Sequence, residues 1–119
     1  MSVDINAADR VNILPEGTVL RQRYRIVRLI SEGGFGITYE GSDQVLNLRV
    51  CIKEFYLNGS VSRDVTHSNE VSSLSSEASR QLFERERAKF LQEARILAKC
   101  ADDPHVVTVR DYFEENNTA

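Results

Sequence analysis

The sequence predicts an α+β domain in which strands joined by turns come first and one long helix follows. Three glycines, Gly33, Gly34 and Gly36, crowd a short turn, and the β-branched and aromatic residues after them favour a strand rather than a helix. Another strand carries Lys53 near its end, and apolar residues recur at helical spacing over residues 83–98. A sheet with a glycine turn and a lysine strand therefore precedes its helix.

The first half of the chain divides into a tail, a turn and three strands. Residues 1–13 are mixed and mostly polar, so we expect a loose tail there. Pro15 and Gly17 mark a turn, after which residues 18–23 lead into the sheet. The predicted strands cover residues 24–30, 36–41 and 48–55.

The third strand has an informative alternation. Val50 and Ile52 point to one face, and Cys51 and Lys53 point to the other, because successive side chains in a strand alternate. The apolar pair suits a core. The other pair should share a face with whatever the glycine turn covers.

A long polar connection, residues 57–79, separates the third strand from the helix. It is rich in serine, and Asn58 and Gly59 mark a turn within it. A regulatory, autophosphorylated loop and a solvated insertion with incidental serines both fit this composition. Of the two, we expect the solvated insertion.

The helix is predicted over about residues 76–99, with Ser75 or Ser76 as its cap and Glu77 in its first turn. A fourth strand is predicted at residues 106–113, after the helix ends near Pro104. The buried stripe of the helix consists of Phe83, Phe90, Leu91, Ala94, Leu97 and Ala98.

Composition narrows the classes of function. The net charge of −3 gives no reason to expect a protein that binds nucleic acid or a membrane surface. Cys51 and Cys100 lack the spacing of a metal site, and two reduced thiols are typical of a cytoplasmic protein. The chain has no N-terminal signal-peptide pattern and no run of ~18 apolar residues, so we expect no membrane segment in this piece.

The stretch from residue 30 to residue 53 resembles the start of a protein kinase. That family has G-x-G-x-x-G-x-V followed by V-A-I-K, and this chain has Ser31, Gly33, Gly36 and Thr38 before the run V-C-I-K at residues 50–53. The GGFGITY and IKEF stretches are most similar to bacterial serine/threonine kinases of eukaryotic type. The resemblance implies that residues 14–119 form part of an N-terminal lobe. Such a lobe is a twisted antiparallel sheet packed on one long helix, here ending before a fifth strand.

The resemblance also implies an ATP site. Lys53 would contact the α- and β-phosphates and pair with a glutamate of the helix, for which Glu93 is the candidate. An exposed Lys89–Glu93 pair, worth only ~0.3–0.5 kcal/mol, is the alternative for that glutamate. Leu97 and Val109 would belong to the hydrophobic column that aligns an active lobe. The implied ATP contacts, within or beside a glycine-rich loop at residues 31–38, are Ile30, Ser31, Gly33, Gly34, Phe35, Gly36, Thr38, Cys51 and Lys53.

The chain departs from the family pattern at three of these positions. Ser31 replaces the first glycine, Thr38 replaces the valine that packs on adenine, and Cys51 replaces an alanine. We expect these changes to weaken ATP binding without abolishing it. Departures of this kind also fit a second hypothesis, a degenerate and non-catalytic lobe that acts as a protein-interaction module. A third hypothesis is an unrelated small α+β binding domain.

The chain lacks the motifs that carry phosphoryl transfer itself. It has no H-R-D-x-x-x-x-N stretch and no D-F-G stretch, and therefore neither a catalytic base nor magnesium ligands. By resemblance, a longer parent would transfer the ATP γ-phosphate to protein hydroxyls with Mg²⁺, binding its protein substrates through a C-terminal lobe. The 119-residue piece alone is expected to be inactive.

The resemblance leaves one edge of the sheet open. In the similar kinases a fifth strand lies between the third and fourth, and this chain ends about where that strand should begin. The fourth strand could move into that place, a water-filled gap could remain, or a second copy could cover the edge. Because exposed edges invite pairing, we expect a homodimer.

Overall fold

The computed structural model describes residues 11–57, 61–73, 76–100 and 109–119. An antiparallel sheet of four strands, in the order β1-β2-β3-β4, precedes one long helix, and a separate two-stranded ladder joins β5 to β6. The predicted order of three main strands followed by one long helix is therefore confirmed. The elements are β1 (Val19–Leu20), β2 (Tyr24–Glu32), β3 (Gly36–Asp43), β4 (Leu48–Phe55), β5 (Val61–Ser62), β6 (Ser72–Ser73) and α1 (Glu77–Lys99).

The three main strands lie where they are predicted, with small differences in length. β4 has the predicted bounds, whereas β2 and β3 each continue two residues further. Three residues, 21–23, join β1 to β2, and the first two, Arg21 and Gln22, have φ of 51° and 54°. Positive φ at both positions matches the right-handed twist of a hairpin. Two irregularities in the β2–β3 register, at residues 26–28 and 29–31, shift the pairing along β2.

One face of the sheet carries most of the core. Ile26, Ile37 and Tyr39 are almost fully buried there, and Val50 and Ile52 pack against the same cluster. Cys51 and Lys53 are exposed. The predicted alternation along β4 is thus confirmed, because the apolar pair faces the core and the other pair does not.

The segment before the sheet differs from the expected loose tail. Residues 1–10 lie outside the described residues, but Ile13 and Leu14 are 0% and 1% exposed. The Leu14 amide also donates to the Tyr39 hydroxyl at 3.2 Å. Residue 13 is therefore core rather than tail, because its apolar side chain covers the sheet.

The polar connection also contributes to the core, so it is not only a solvated insertion. Val61, Arg63 and Val71 are all buried. Pairing of β5 with β6 satisfies part of the backbone of this segment. Its serine-rich composition concealed these buried side chains from the sequence prediction. Asn58, Gly59 and residues 74–75 lie outside the described residues.

Helix α1 begins as predicted and packs on the end of β4. The Ser76 hydroxyl oxygen accepts a hydrogen bond from the Ser79 amide at 3.0 Å, which caps the helix. Phe83 and Leu91 are its buried residues, while the remaining residues of the predicted stripe are half-buried. The ring of Phe55 lies 5.4 Å from that of Phe83 and 5.5 Å from that of Phe90, centroid to centroid.

The predicted fourth strand is not found in the part that the structure describes. Residues 101–108 lie outside the described residues, and residues 109–113 form no strand. Side chains hold the segment instead: Asp111 accepts a hydrogen bond from the Tyr24 hydroxyl at 2.7 Å, and Phe113 stacks on the Tyr24 ring. Phe55 donates its amide to the carbonyl of Ala119 at 2.7 Å. The prediction of a strand was wrong for residues 109–113, because side chains rather than a strand ladder hold this segment.

Candidate functional site

The register of the sheet collects several predicted site residues on one face. Ser31 on β2 pairs with Thr38 on β3, and Thr38 pairs with Lys53 on β4. Directly opposed residues of antiparallel strands point to the same side. The three side chains therefore form a row on the face opposite the main core.

The glycine turn lies at the end of this face. Gly33 donates its amide to the Gly36 carbonyl at 2.9 Å, and Gly34 and Phe35 form the tip between them. Phe35 is 66% exposed. A Cβ added at Gly33 or Gly34 would meet nothing within 4 Å, and neither glycine has a positive φ. The fold without a bound ligand therefore does not require glycine at either position.

A cavity of about 210 Å³ separates the glycine turn from helix α1. Lys53 enters it from β4, and its Nζ atom lies 6.0 Å from the centroid of the Phe90 ring. That distance is within the range of a cation–π contact. The lining residues are Phe35, Lys53, Phe55, Glu86, Lys89, Phe90 and Glu93.

Lys53 and Glu93 line this cavity together, but the structure, which describes both, has no ion pair between them. The alternative partner of Glu93 is not used either, because Lys89 Nζ lies 3.4 Å from Glu86 Oε1 instead. Glu93 is exposed. An outward position of α1 would give this arrangement, and the Lys53–Glu93 pairing stays a prediction.

A second cavity, of about 340 Å³, continues the same face away from the glycine turn. Glu40 pairs across the sheet with both Arg28 and Cys51, so these three form a second row. The Glu40 carboxylate lies 2.8 Å from Arg28 and 3.6 Å from Arg49. The lining residues are Arg28, Ile30, Glu40, Arg49, Val50 and Cys51.

For the remaining predicted site residues the structure gives exposure but no contact that indicates a role. Ile30 is 49% exposed beside the second cavity, at the end where β2 approaches the glycine turn. Leu97 and Val109 are each half-buried. Their alignment in a hydrophobic column stays a prediction.

Sequence reasoning missed a buried ionic group directly behind Lys53. Glu54 and Arg63 are 5% and 4% exposed, and they form two hydrogen bonds with each other. The alternation of β4 could have revealed Glu54, because it places that carboxylate on the core face with Val50 and Ile52. Arg63 gave no such signal, since it lies in a polar stretch without periodicity.

The chain is similar to a solved structure described as "PpkA-294 apo form", a structure of a bacterial serine/threonine kinase. The similarity covers 90% of this chain at 33% sequence identity with a TM-score of 0.80. The fold is kinase-like. This chain spans only 36% of the length of the PpkA chain. A scan against protein-family models gives no match.

The kinase-like sheet and helix carry no membrane span among the described residues. α1 is 23 residues long, but its charged side chains make it too polar to cross a bilayer. The same described residues contain no group of three or more histidine, cysteine, aspartate or glutamate side chains able to hold a metal ion.

Proposed function

We propose that this chain is the ATP-binding N-terminal lobe of a serine/threonine protein kinase. The observation that carries the proposal is the row formed by Ser31, Thr38 and Lys53 on the open face, beside the glycine turn. A nucleotide on this face would meet the Lys53 ammonium group and, at Gly33 and Gly34, backbone without side chains. Both are features that bind phosphate groups.

Lys53 is suited to bind the phosphates. Its ammonium group has no carboxylate partner among the described residues, and its nearest described interaction is the Phe90 ring. A phosphate oxygen could therefore pair with it without first breaking an ion pair. The open space around Gly33 and Gly34 supports the proposal as well, because a ligand can come close to the backbone there.

The adenine would lie toward the second cavity. Ile30 and Cys51 line that cavity, and Thr38 occupies the row between it and the glycine turn. Ser31, which replaces a family glycine, lies in extended backbone without a positive φ, so its Cβ introduces no backbone strain. The departures from the family pattern therefore do not rule out nucleotide binding, and we expect the binding by this piece to be weak.

Each residue has a separate role in the proposed reaction. Lys53 would hold the α- and β-phosphates, Glu93 would hold Lys53 once the helix moves inward, and the amides of the glycine turn would face the phosphates. Residues outside this chain would bind Mg²⁺ and act as the catalytic base, in a parent that transfers the γ-phosphate to protein hydroxyls. We propose a cytoplasmic location for that parent.

A nucleotide titration tests the proposal. The chain is titrated calorimetrically with ATP, alongside the variants Lys53→Met and Lys89→Met. Lys89 is the matched control, because it lines the same cavity but already pairs with Glu86. A charge-assisted bond contributes ~1.5–3 kcal/mol, so Lys53→Met should weaken binding by about tenfold or more. Lys89→Met should change the affinity much less.

Two results would count against the proposal. Absence of ATP binding by the wild-type chain would favour the non-catalytic interaction module. Equal losses in the two lysine variants would show that only the general charge of the cavity matters. Phosphate transfer from labelled ATP by these 119 residues is not expected, and transfer that Lys53→Met abolishes would contradict the proposed division of roles.

A further inference from the structure

A buried polar cluster lies directly behind the proposed phosphate-binding lysine. Glu54 follows Lys53 on β4 and points to the opposite face. Arg63 donates to it twice, from Nη1 to Oε2 at 2.6 Å and from Nη2 to Oε1 at 2.7 Å. The side chains of Arg63 and Glu54 are only 0% and 6% exposed. This is the bidentate geometry in which arginine and carboxylate bind most strongly.

The Arg63 guanidinium joins several parts of the chain to β4. It donates to the Asn12 carbonyl from Nε at 3.1 Å and from Nη2 at 2.8 Å. It also donates to the Asn69 carbonyl at 3.3 Å. The segment before the sheet and the polar segment 61–73 are therefore both held against the strand that carries Lys53.

Tyr39 completes the cluster from the neighbouring strand. Its hydroxyl donates to Glu54 Oε1 at 2.9 Å and accepts the Leu14 amide at 3.2 Å. Burial, reinforced by the nearby Glu54 charge, raises the pKa of Tyr39, which keeps the hydroxyl protonated as a donor. No side-chain nitrogen or oxygen buried in the described residues lacks a hydrogen-bond partner. A cluster satisfied in this way holds its members rigidly.

Lys53 itself has little to fix its position. Its described side-chain contact is with the Phe90 ring, and its ammonium group is exposed toward the cavity. The direction of its side chain therefore depends on the pleat of β4. Adjacent residues of a strand point to opposite faces. A Glu54 carboxylate that is held on the core face therefore also sets the direction in which the Lys53 side chain leaves the other face.

We propose that Glu54 and Arg63 are positioning residues for Lys53, so that segment 61–73 supports the nucleotide site without touching it. The inference rests on the proposed nucleotide-binding function for its ligand. Arg63 acts as a clamp that holds β4 in the pleat and register that direct Lys53 into the cavity. Loss of the clamp should loosen residues 52–55 and weaken nucleotide binding together.

The test variant removes both charges at once. A single substitution would leave an uncompensated buried charge and could unfold the chain, whereas replacing both partners of a buried pair by apolar residues is often tolerated. We would therefore compare the wild type with the double variant Glu54→Met/Arg63→Met. The matched control is Arg23→Met/Asp43→Asn, which removes the charges from another two-bonded pair near the opposite end of the sheet.

Hydrogen exchange gives a readout that does not require a nucleotide. In the Glu54/Arg63 variant, amide exchange should accelerate in residues 52–55 of β4 and stay unchanged in residues 25–29 of β2. ATP affinity should fall by about tenfold, since small displacements of a binding group are costly. The control variant should leave the exchange of residues 52–55 and the ATP affinity unchanged.

The outcomes separate the inference from the proposed function. If exchange rises equally in β2 and β4, the pair serves only global stability and the inference is overturned. Unchanged exchange in β4, or unchanged ATP affinity in a chain that binds ATP, also overturns it. If the wild type binds no ATP, the proposed function fails, and the exchange comparison still decides whether the pair holds β4.

A conservative variant covers the case in which the double variant does not fold. Arg63→Lys keeps the charge but lacks the planar fork that makes two parallel hydrogen bonds. Faster exchange confined to residues 52–55, together with weaker ATP binding, supports the clamp. Wild-type exchange and affinity in Arg63→Lys would show that charge alone is sufficient and would overturn it.

Discussion

Lys53 on β4 and Glu93 on α1 line one cavity without forming an ion pair, although the structure describes both residues. Lys53 instead lies beside the Phe90 ring, 6.0 Å from its centroid. Because α1 packs on the sheet through Phe83 and Phe90, both of which contact Phe55, a small movement of the helix would change the distance between the two charges. The free and ligand-bound forms should therefore differ at this pair.

A double-mutant cycle measures this difference. With Lys53→Met, Glu93→Gln and the combined variant, the coupling energy in the unfolding of the free chain should be near zero, because no ion pair is present. In ATP binding the two substitutions should be coupled, because nucleotide binding would bring the helix inward. The Lys89–Glu86 pair serves as a control with ~0.3–0.5 kcal/mol of coupling in both states. Coupling above about 1 kcal/mol in the free chain would mean that the Lys53–Glu93 pair is already formed.

An added methyl group should affect stability differently at Gly34 in the turn and at Gly41 in β3. Gly34→Ala should leave the free energy of unfolding unchanged or raise it by up to ~1 kcal/mol, because its Cβ meets nothing within 4 Å. Gly41→Ala should lower it by ~1–3 kcal/mol, since that Cβ would lie 2.4 Å from Ile52 Cδ1 and 3.1 Å from the Arg25 carbonyl oxygen. Urea unfolding checks both values.

The Gly34 variant also reports on the ligand. If the turn backbone approaches phosphates, Gly34→Ala should weaken ATP binding despite its unchanged stability. Equal ATP affinity of Gly34→Ala and wild type would speak against close approach at the tip of the turn.

The aromatic contact between α1 and β4 should dominate the stability of the helix. Phe83 is 4% exposed and packs on Phe55, so Phe83→Ala should lower the free energy of unfolding by ~3–5 kcal/mol. Phe83→Leu should lower it less. Ile96 is on the same helix but 51% exposed, and Ile96→Ala should stay within about 0.5 kcal/mol of the wild type. A similar loss in the Phe83 and Ile96 variants would contradict this packing.

Asp43 should make the fold sensitive to acid. The two hydrogen bonds from Arg23 lower the pKa of this buried carboxyl from 3.8 to about 2, and the amides of Val45 and Leu46 act in the same direction. The unfolded chain takes up the proton first as the pH falls. The contribution of Asp43 to stability is therefore complete above about pH 4 and lost as the pH falls to about 2.

Thermal unfolding at several pH values tests whether the contribution of Asp43 to stability is lost as the pH falls. Wild type should have a higher Tm than Asp43→Asn at pH 5, and the two values should converge as the pH falls toward 2. Glu16→Gln is the control at an exposed carboxyl. A difference between wild type and Asp43→Asn that stays constant from pH 5 to pH 2 would argue against the depressed pKa.

Self-association through the sheet edge remains a proposal. In the described residues no strand pairs with the outer edge of β4, whose backbone is contacted there at Phe55, by Ala119 and Thr118. Light scattering during size exclusion should detect a dimer, because open edges invite pairing. A strict monomer at high micromolar concentration would oppose the proposal, as would a dimer that persists unchanged when a further strand is added after residue 119.

Local sequence patterns were sufficient to predict much of this protein. The strand at residues 48–55, a helix cap at Ser75 or Ser76 and a helix start near residue 76 follow from alternation, side-chain chemistry and helical periodicity, all of which act within a few residues. The facing directions of Cys51 and Lys53 follow from the same two-residue period. Motif resemblance added the proposed ATP contacts, and the register of β2, β3 and β4 places three of them, Ser31, Thr38 and Lys53, in one row.

Only the tertiary structure decided the features that depend on distant partners. The burial of Ile13, the pairing of Glu54 with Arg63 and the attachment of Asp111 to Tyr24 join residues far apart in the chain. A buried carboxylate on β4 demands a donor, but no local rule says which arginine supplies it. The position of Glu93 relative to Lys53 likewise depends on how α1 packs, because aromatic packing against Phe55 fixes the helix more firmly than a solvent-exposed charge pair can.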